Sequence, residues 1–170
     1  MPVCYKQLYG HEAPDDRLAE NDGKVLEARD EKADEEDFSK EKEALLWLKE
    51  YSENNEIDGA IAEAPGDSYT AYERASVISG MSTPAGWKVH EWLWRDSLDG
   101  ISARISDIDY LYSTSTDTEE VKKIIKKYDI KYIFFGTREL EKYGTAVKED
   151  VKKLGDVIYE DDGAFIMKVK

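Results

Sequence analysis

The tightest constraint on the fold comes from residues 119–136. Lys131-Tyr132-Ile133-Phe134-Phe135-Gly136 is an almost unbroken apolar run closed by a glycine, the pattern of a strand buried on both faces. Ahead of it, Val121, Ile124, Ile125 and Tyr128 share one stripe at helical spacing. Thr116-Asp117-Thr118-Glu119 has the form of a capping box that opens this helix. Glu119 stands four residues before Lys123, the favourable order for a helical ion pair, and Asp129 ends the helix. Tyr110 to Ser113 reads as a short strand on the near side. Strand, helix, strand is a βαβ unit, which implies parallel pairing and a right-handed crossover.

The rest of the pattern builds outward from that unit. Ala44, Trp47, Leu48 and Tyr51 recur at i, i+3, i+4 and i+7 with Leu45 beside them, which predicts a helix capped by Ser39 or Asp37 and ended by Asn54-Asn55. Gly59 to Ala64 is small and apolar until Pro65-Gly66 stops it, so it reads as a buried strand carrying Glu63, Asp67, Ser68 and Tyr69 into a loop. Ala75 to Ser79 is predicted as a second short strand closed by Gly80. A short helix over Arg138–Tyr143 and a lysine-rich one over Ala146–Leu154 follow. Val157–Tyr159 and Ala164–Met167 flank Asp161-Asp162-Gly163, a hairpin turn signal. The predicted class is α/β: a mixed sheet with a parallel βαβ core flanked by helices and an antiparallel C-terminal hairpin.

Length and charge narrow the function classes. At 170 residues the chain suits one hydrophobic core, with residues 1–37 as an acidic irregular lead-in and 38–170 as a single soluble α/β domain. The formal charge of −14 argues against a nucleic-acid partner or an anionic lipid surface, because both require a positive footprint. The first 41 residues hold 13 acidic side chains against six basic ones, yet Asp30 to Asp37 has no glycine-centred loop of alternating oxygen ligands for calcium. One cysteine (Cys4) and two histidines (His11 and His90) leave neither a disulfide framework nor a Cys/His zinc cluster. No G-x-G-x-x-G or G-x-x-x-x-G-K-[ST] is present, so no metal or cofactor is expected. No run approaches the ~18 apolar residues of a membrane span.

The informative segment is residues 63–95. Three of the four tryptophans, Trp87, Trp92 and Trp94, fall within eight residues, beside His90, Glu91 and Arg95. Helix and strand periodicities both fit this stretch. In one reading the tryptophans plug the core and His90 bonds locally. In the other they floor a cleft rimmed by Glu63, Asp67, Arg74, His90, Glu91 and Arg95, with Tyr69 nearby. Indole faces beside carboxylates and arginine suit a polar ligand with apolar ring faces, such as a sugar. Gly66-Asp67-Ser68 also resembles the nucleophile block of the GDS-type ester hydrolases, but the last third of the chain has no histidine to activate the serine. Glu63 and Glu91 form a conceivable carboxylate pair for glycoside hydrolysis.

Glu63-Ala-Pro-Gly-Asp-Ser-Tyr69, Arg74 with Ser76, Gly80 before Thr83, and Gly86-Trp87 leading to His90-Glu91-Trp92 and Trp94-Arg95 resemble a block of the YYY-domain family. The resemblance runs on through Tyr110–Ser113, Lys127–Ile133 with Gly136, Leu140-Glu141 with Tyr143, and the hairpin around Gly163, covering roughly residues 40–170. These are multi-spanning membrane proteins with a glycosyltransferase C-type fold. The resemblance implies a soluble domain at the extracytoplasmic face of the cell membrane, partnered by the membrane-embedded portion of a parent protein and contributing to binding of a glycan or lipid-linked sugar. The chain departs from the family in having no membrane span, as an excised domain or a stand-alone relative would. No catalytic residue is assigned within the block, and the isolated domain is not expected to catalyse alone. The alternatives are a structural or protein-interaction domain without a ligand, and a stand-alone hydrolase using Ser68 with His90 or Glu63 with Glu91.

Overall fold

The computed structural model describes residues 38–67, 70–87, 99–113 and 119–170, and Phe38–Lys170 pack as one compact unit. Its elements, in chain order, are α1 (Lys42–Asn54), β1 (Ala60–Ala62), α2 (Arg74–Ser79), α3 (Asp99–Ser113), α4 (Glu119–Lys127), β2 (Ile130–Phe135), α5 (Thr137–Tyr143), α6 (Ala146–Val151), a 3₁₀ turn (Lys152–Leu154), β3 (Gly155–Glu160) and β4 (Phe165–Val169). The strands form one mixed sheet in the order β1-β2-β4-β3. β1 and β2 are parallel, β2 and β4 antiparallel, and β3 and β4 make the antiparallel C-terminal hairpin. This is the predicted mixed α/β class.

The alternation of side chains along the strands divides the apolar residues into two cores. Ala62, Ile133, Phe135, Phe165 and Met167 face one way, onto Ile108, Leu111 and Tyr112 of α3, Val121 and Ile124 of α4, and Val151 of α6. Ile61, Tyr132, Phe134 and Ile166 face the other way, onto Ala44, Leu45 and Leu48 of α1 and Ala75 of α2. β2 is therefore covered on both faces, which is why its sequence reads as a continuous apolar run. β3 lies at the sheet's edge, and Asp156 and Glu160 keep that edge charged, a usual guard against edge-to-edge pairing. Among the described residues no helix is long and apolar enough to cross a membrane.

Two predicted strands are helices. Ala75–Ser79 lies in α2, whose opening amides are held by the Glu63 carboxylate and whose end is capped by Gly80 at φ 71°, its N–H donating to Ser76 O. Tyr110–Ser113 is the last turn of α3. Ile101, Ile105, Ile108 and Tyr112 recur every three or four residues on the face of α3 that meets the sheet, and that stripe outweighs the local aromatic and serine content. The parallel partner of β2 is accordingly β1. Glu119 pairs with Lys122, and Lys123 with Glu120, at i,i+3, in place of the expected Glu119–Lys123 contact. The remainder of the predicted capping box, residues 116–118, lies outside the described residues. α1 has Glu41 at its N-cap position with no side-chain cap bond there, and Asp37, one of the two expected caps, lies outside the described residues.

The hairpin turn joins the two ends of this unit. Asp161 Oδ1 accepts from the amides of Gly163 and Ala164, and Gly163 packs flat against the Lys40 carbonyl, where a Cβ would collide with backbone.

Candidate functional site

The carboxyl ends of β1 and β2 lie side by side, and the residues that follow them converge. β1 runs into Glu63, and β2 runs into Gly136 and the start of α5. Glu63 is buried, and its two oxygens accept from Ala75 N (2.9 Å) and Ser76 N (2.8 Å). A carboxylate here meets the positive end of α2 and satisfies amides that a helix start leaves without partners.

Glu139, on α5, is fully buried. It accepts from Ala64 N (2.7 Å) through Oε1 and from Gly136 N (2.8 Å) and Arg74 Nη2 (2.8 Å) through Oε2. Glu41 accepts from Arg74 Nε and from Arg74 Nη2 (3.0 Å), and its Oε2 also takes Thr137 N (2.8 Å). The Arg74 guanidinium thus joins the start of α1 to the start of α5 and lies 5.0 Å from the centre of the Phe134 ring. Glu41, Glu63, Arg74 and Glu139 are all at most 4% exposed. Gly136 is required by proximity: a Cβ there would press on Glu41 Oε2 and the Phe134 ring.

Two carboxylates, Glu41 and Glu139, therefore share one guanidinium, Glu63 lies within reach of its charge, and five backbone amides complete the balance. Burial pushes the Glu63 carboxyl above its ordinary value of 4.5, against the opposing pull of Arg74 and the α2 amides. Burial also pushes Glu139 upward, but Arg74 and the amides of Ala64 and Gly136 together outweigh it and hold that group below 4.5. Arg74, penalised by burial but flanked by Glu139 and Glu41, is held more firmly protonated than a free arginine. The two carboxyls have opposite pH signatures. The Glu139 contribution to stability is present above pH 4.5 and is lost as pH falls through its lowered folded value. The Glu63 contribution is fully present below pH 4.5 and is lost as pH rises through its raised folded value. In urea melts from pH 3.5 to 8, Glu63→Gln is expected to flatten the change above pH 4.5, and Glu139→Gln the change below it. Parallel profiles for the two variants would contradict the assignment.

Under this cluster lies Tyr112, fully buried, its hydroxyl 2.9 Å from Ala62 O and 2.7 Å from Phe134 O. It stacks on Tyr143 with centroids 5.0 Å apart. Tyr143 donates to Asp109 (2.6 Å), and Lys142 reaches both Asp109 (2.8 Å) and the Pro65 carbonyl (2.7 Å). Residues 63–66 are consequently tied to α3, α5 and α2. The Tyr72 ring sits against Gly66, and Trp87 donates its indole N–H to Tyr72 O (3.0 Å).

Of the predicted contact residues, Glu63 and Arg74 do come together, but inside the protein and not on a rim. Every oxygen of Glu63 is engaged by a backbone amide, so this carboxylate holds a loop and has no face for a substrate. Asp67 is exposed, its carbonyl accepting from Thr70 Oγ1, and Trp87 is half-buried. Ser68, Tyr69, His90, Glu91, Trp92, Trp94 and Arg95 lie outside the described residues. Glu41, Glu139 and Tyr112 escaped the sequence reading. Among the described residues no group of histidine, cysteine and carboxylate side chains is arranged to hold a metal ion. Comparison of the chain with protein-family models, with known proteins and with solved structures finds no match.

Proposed function

We propose that residues 38–170 are an accessory binding domain of a membrane-embedded, glycosyltransferase-like protein, working at the extracytoplasmic face and engaging a glycan or lipid-linked sugar acceptor. The observation that supports this reading is the way the 63–74 segment is built. Its buried acid and arginine are locked in a cluster that fixes a loop at the carboxyl ends of the parallel strands, the edge where open α/β sheets hold their ligands. Asp67 is exposed on that loop, and Trp87 is bonded to it through Tyr72. An autonomous Glu63/Glu91 hydrolase is disfavoured, because a catalytic carboxylate must reach the substrate proton and Glu63 is sealed behind α2 amides.

The resemblance of residues 63–95 to the YYY-domain block supplies the membrane parent and the class of ligand. Trp92 and Arg95 are the ring-stacking and anion-clamping contacts in this proposal. Titration of the purified chain with neutral and acidic oligosaccharides and a short-chain polyprenyl-phosphate sugar, followed by NMR, tests it. Trp92→Ala and Arg95→Ala should each weaken binding at least about tenfold, the loss of one good contact, with unchanged melting temperature. Absence of binding in the parent chain, or unfolding of both variants, would refute it. The native protein should also stay with the membrane pellet after carbonate washing; release into the supernatant would remove the anchored parent.

A further inference from the structure

The sequence holds four Asp-Gly pairs, at 22–23, 58–59, 99–100 and 162–163. Such pairs are chemically frail. The amide nitrogen of a glycine, which has no Cβ to shield it, attacks Cγ of the preceding aspartate, and water leaves. The five-membered succinimide that forms takes water back at either carbonyl. One route restores aspartate; the other gives isoaspartate, in which the backbone runs through the side chain. The attack needs the glycine nitrogen to swing onto Cγ, so a turn that fixes this amide opposes the reaction.

The turn at Asp162-Gly163 is fixed from several sides. Gly163 N donates to Asp161 Oδ1 (2.8 Å), and Ala164 N donates to the same oxygen (2.8 Å). Tyr159 donates its hydroxyl to Asp161 Oδ2 (2.8 Å), and Asp161 N donates to Ala164 O (3.0 Å). Burial pushes the Asp161 carboxyl up, but Tyr159, the amides of Ala164 and Gly163 and the charge of Lys148 outweigh it and hold the group below its ordinary value of 3.8. Asp161 therefore stays an acceptor at neutral pH. Gly163 also lies against the Lys40 carbonyl. Asp162 itself is exposed, so its carboxyl is open to reaction once the neighbouring amide is freed. Isoaspartate at 162 would insert an extra backbone carbon beside a contact already too close for a Cβ.

We propose that Asp162-Gly163 is a latent site of backbone isomerisation guarded by Asp161, so that isoaspartate forms there only when the hairpin tip opens. This inference is separate from the glycan reading and stands or falls without it. The test ages the full chain at mildly acidic pH, in native buffer and in guanidinium chloride, and counts isoaspartate at residues 162 and 58 by peptide mass spectrometry. In denaturant both positions should isomerise at similar rates. In native buffer position 162 should be slower by about tenfold or more, because reaction waits on local opening. Asp161→Ala, which removes the acceptor for two amides, should quicken isomerisation at 162 about tenfold and leave position 58 at the parent's rate. Asp161→Asn keeps an oxygen acceptor and should restore most of the protection. Equal rates at 162 in native buffer and in denaturant, no acceleration in a folded Asp161→Ala variant, or an acceleration shared equally by position 58 would each overturn the proposal. The native-versus-denatured comparison needs no variant and decides the matter even where Asp161→Ala fails to fold.

Discussion

Replacing Arg74 with methionine is expected to destabilise the domain by about 3–5 kcal/mol, the range seen when one partner of a buried ion pair is removed. The guanidinium is nearly inaccessible, as are Glu41 and Glu139 on either side. The apolar replacement fills much of the space but leaves two carboxylates facing each other without a counter-charge. One must then take up a proton or draw in water, and either outcome loosens the starts of α1 and α5. For a domain of this size the loss corresponds to roughly 10–20 °C in melting temperature, a large share of the ~5–15 kcal/mol that holds typical domains together. Adding Glu41→Gln and Glu139→Gln to Arg74→Met should recover part of it, because the uncompensated charge is then gone. Thermal and urea melts of the single and triple variants decide the matter. An Arg74→Met protein as stable as the parent would mean that the buried carboxylates do not rely on the guanidinium.

Tyr112→Phe removes one oxygen and should still lower stability by about 1–3 kcal/mol, the penalty for leaving buried carbonyls short of a donor. Its hydroxyl lies between Ala62 O on β1 and Phe134 O on β2, so a helix on one face supplies a polar tie across the parallel pair. The ring stays in place against Tyr143 and Phe135, and the change therefore isolates the hydroxyl. Amide exchange should quicken most in β1, a strand of only three residues, and less in β4. Tyr143→Phe is the matched control: it loses its bond to Asp109, but Lys142 keeps that carboxylate engaged, and a smaller effect follows. Equal effects for the two variants would count against a special role for Tyr112.

The elements legible from sequence were those whose periodicity reflects burial directly. β2 announced itself because both faces are covered, α4 because Val121 and Ile124 face the core while its lysines face water, and the hairpin because Asp161 and Gly163 build the turn with their own backbone and side chain. The misread segments were short pieces judged without their neighbours. Ala75–Ser79 has β-branched and small residues suited to a strand, but Glu63, twelve positions earlier, anchors it as a helix. Tyr110–Ser113 belongs to a stripe that begins at Ile101. The sequence puts Glu63 and Arg74 on one candidate rim, whereas the structure buries both. Their partners Glu41 and Glu139 were hidden among 38 acidic residues, since nothing local distinguishes a glutamate that will be buried from one that will be solvated. The glycine after β2 was the available clue: Gly136 is where a carboxylate, a ring and a guanidinium crowd the backbone.

The contact between the hairpin tip and the chain entering α1 has a mechanical consequence. Tension applied through the chain at Phe38 would not simply peel α1 away, because Lys40 bears on Gly163 and Glu41 is joined through Arg74 to α5. The load would be shared with the hairpin tip and, through Arg74, with α2 and α5. Pulling α1 away from that end therefore requires the buried Glu41–Arg74–Glu139 cluster to be opened first.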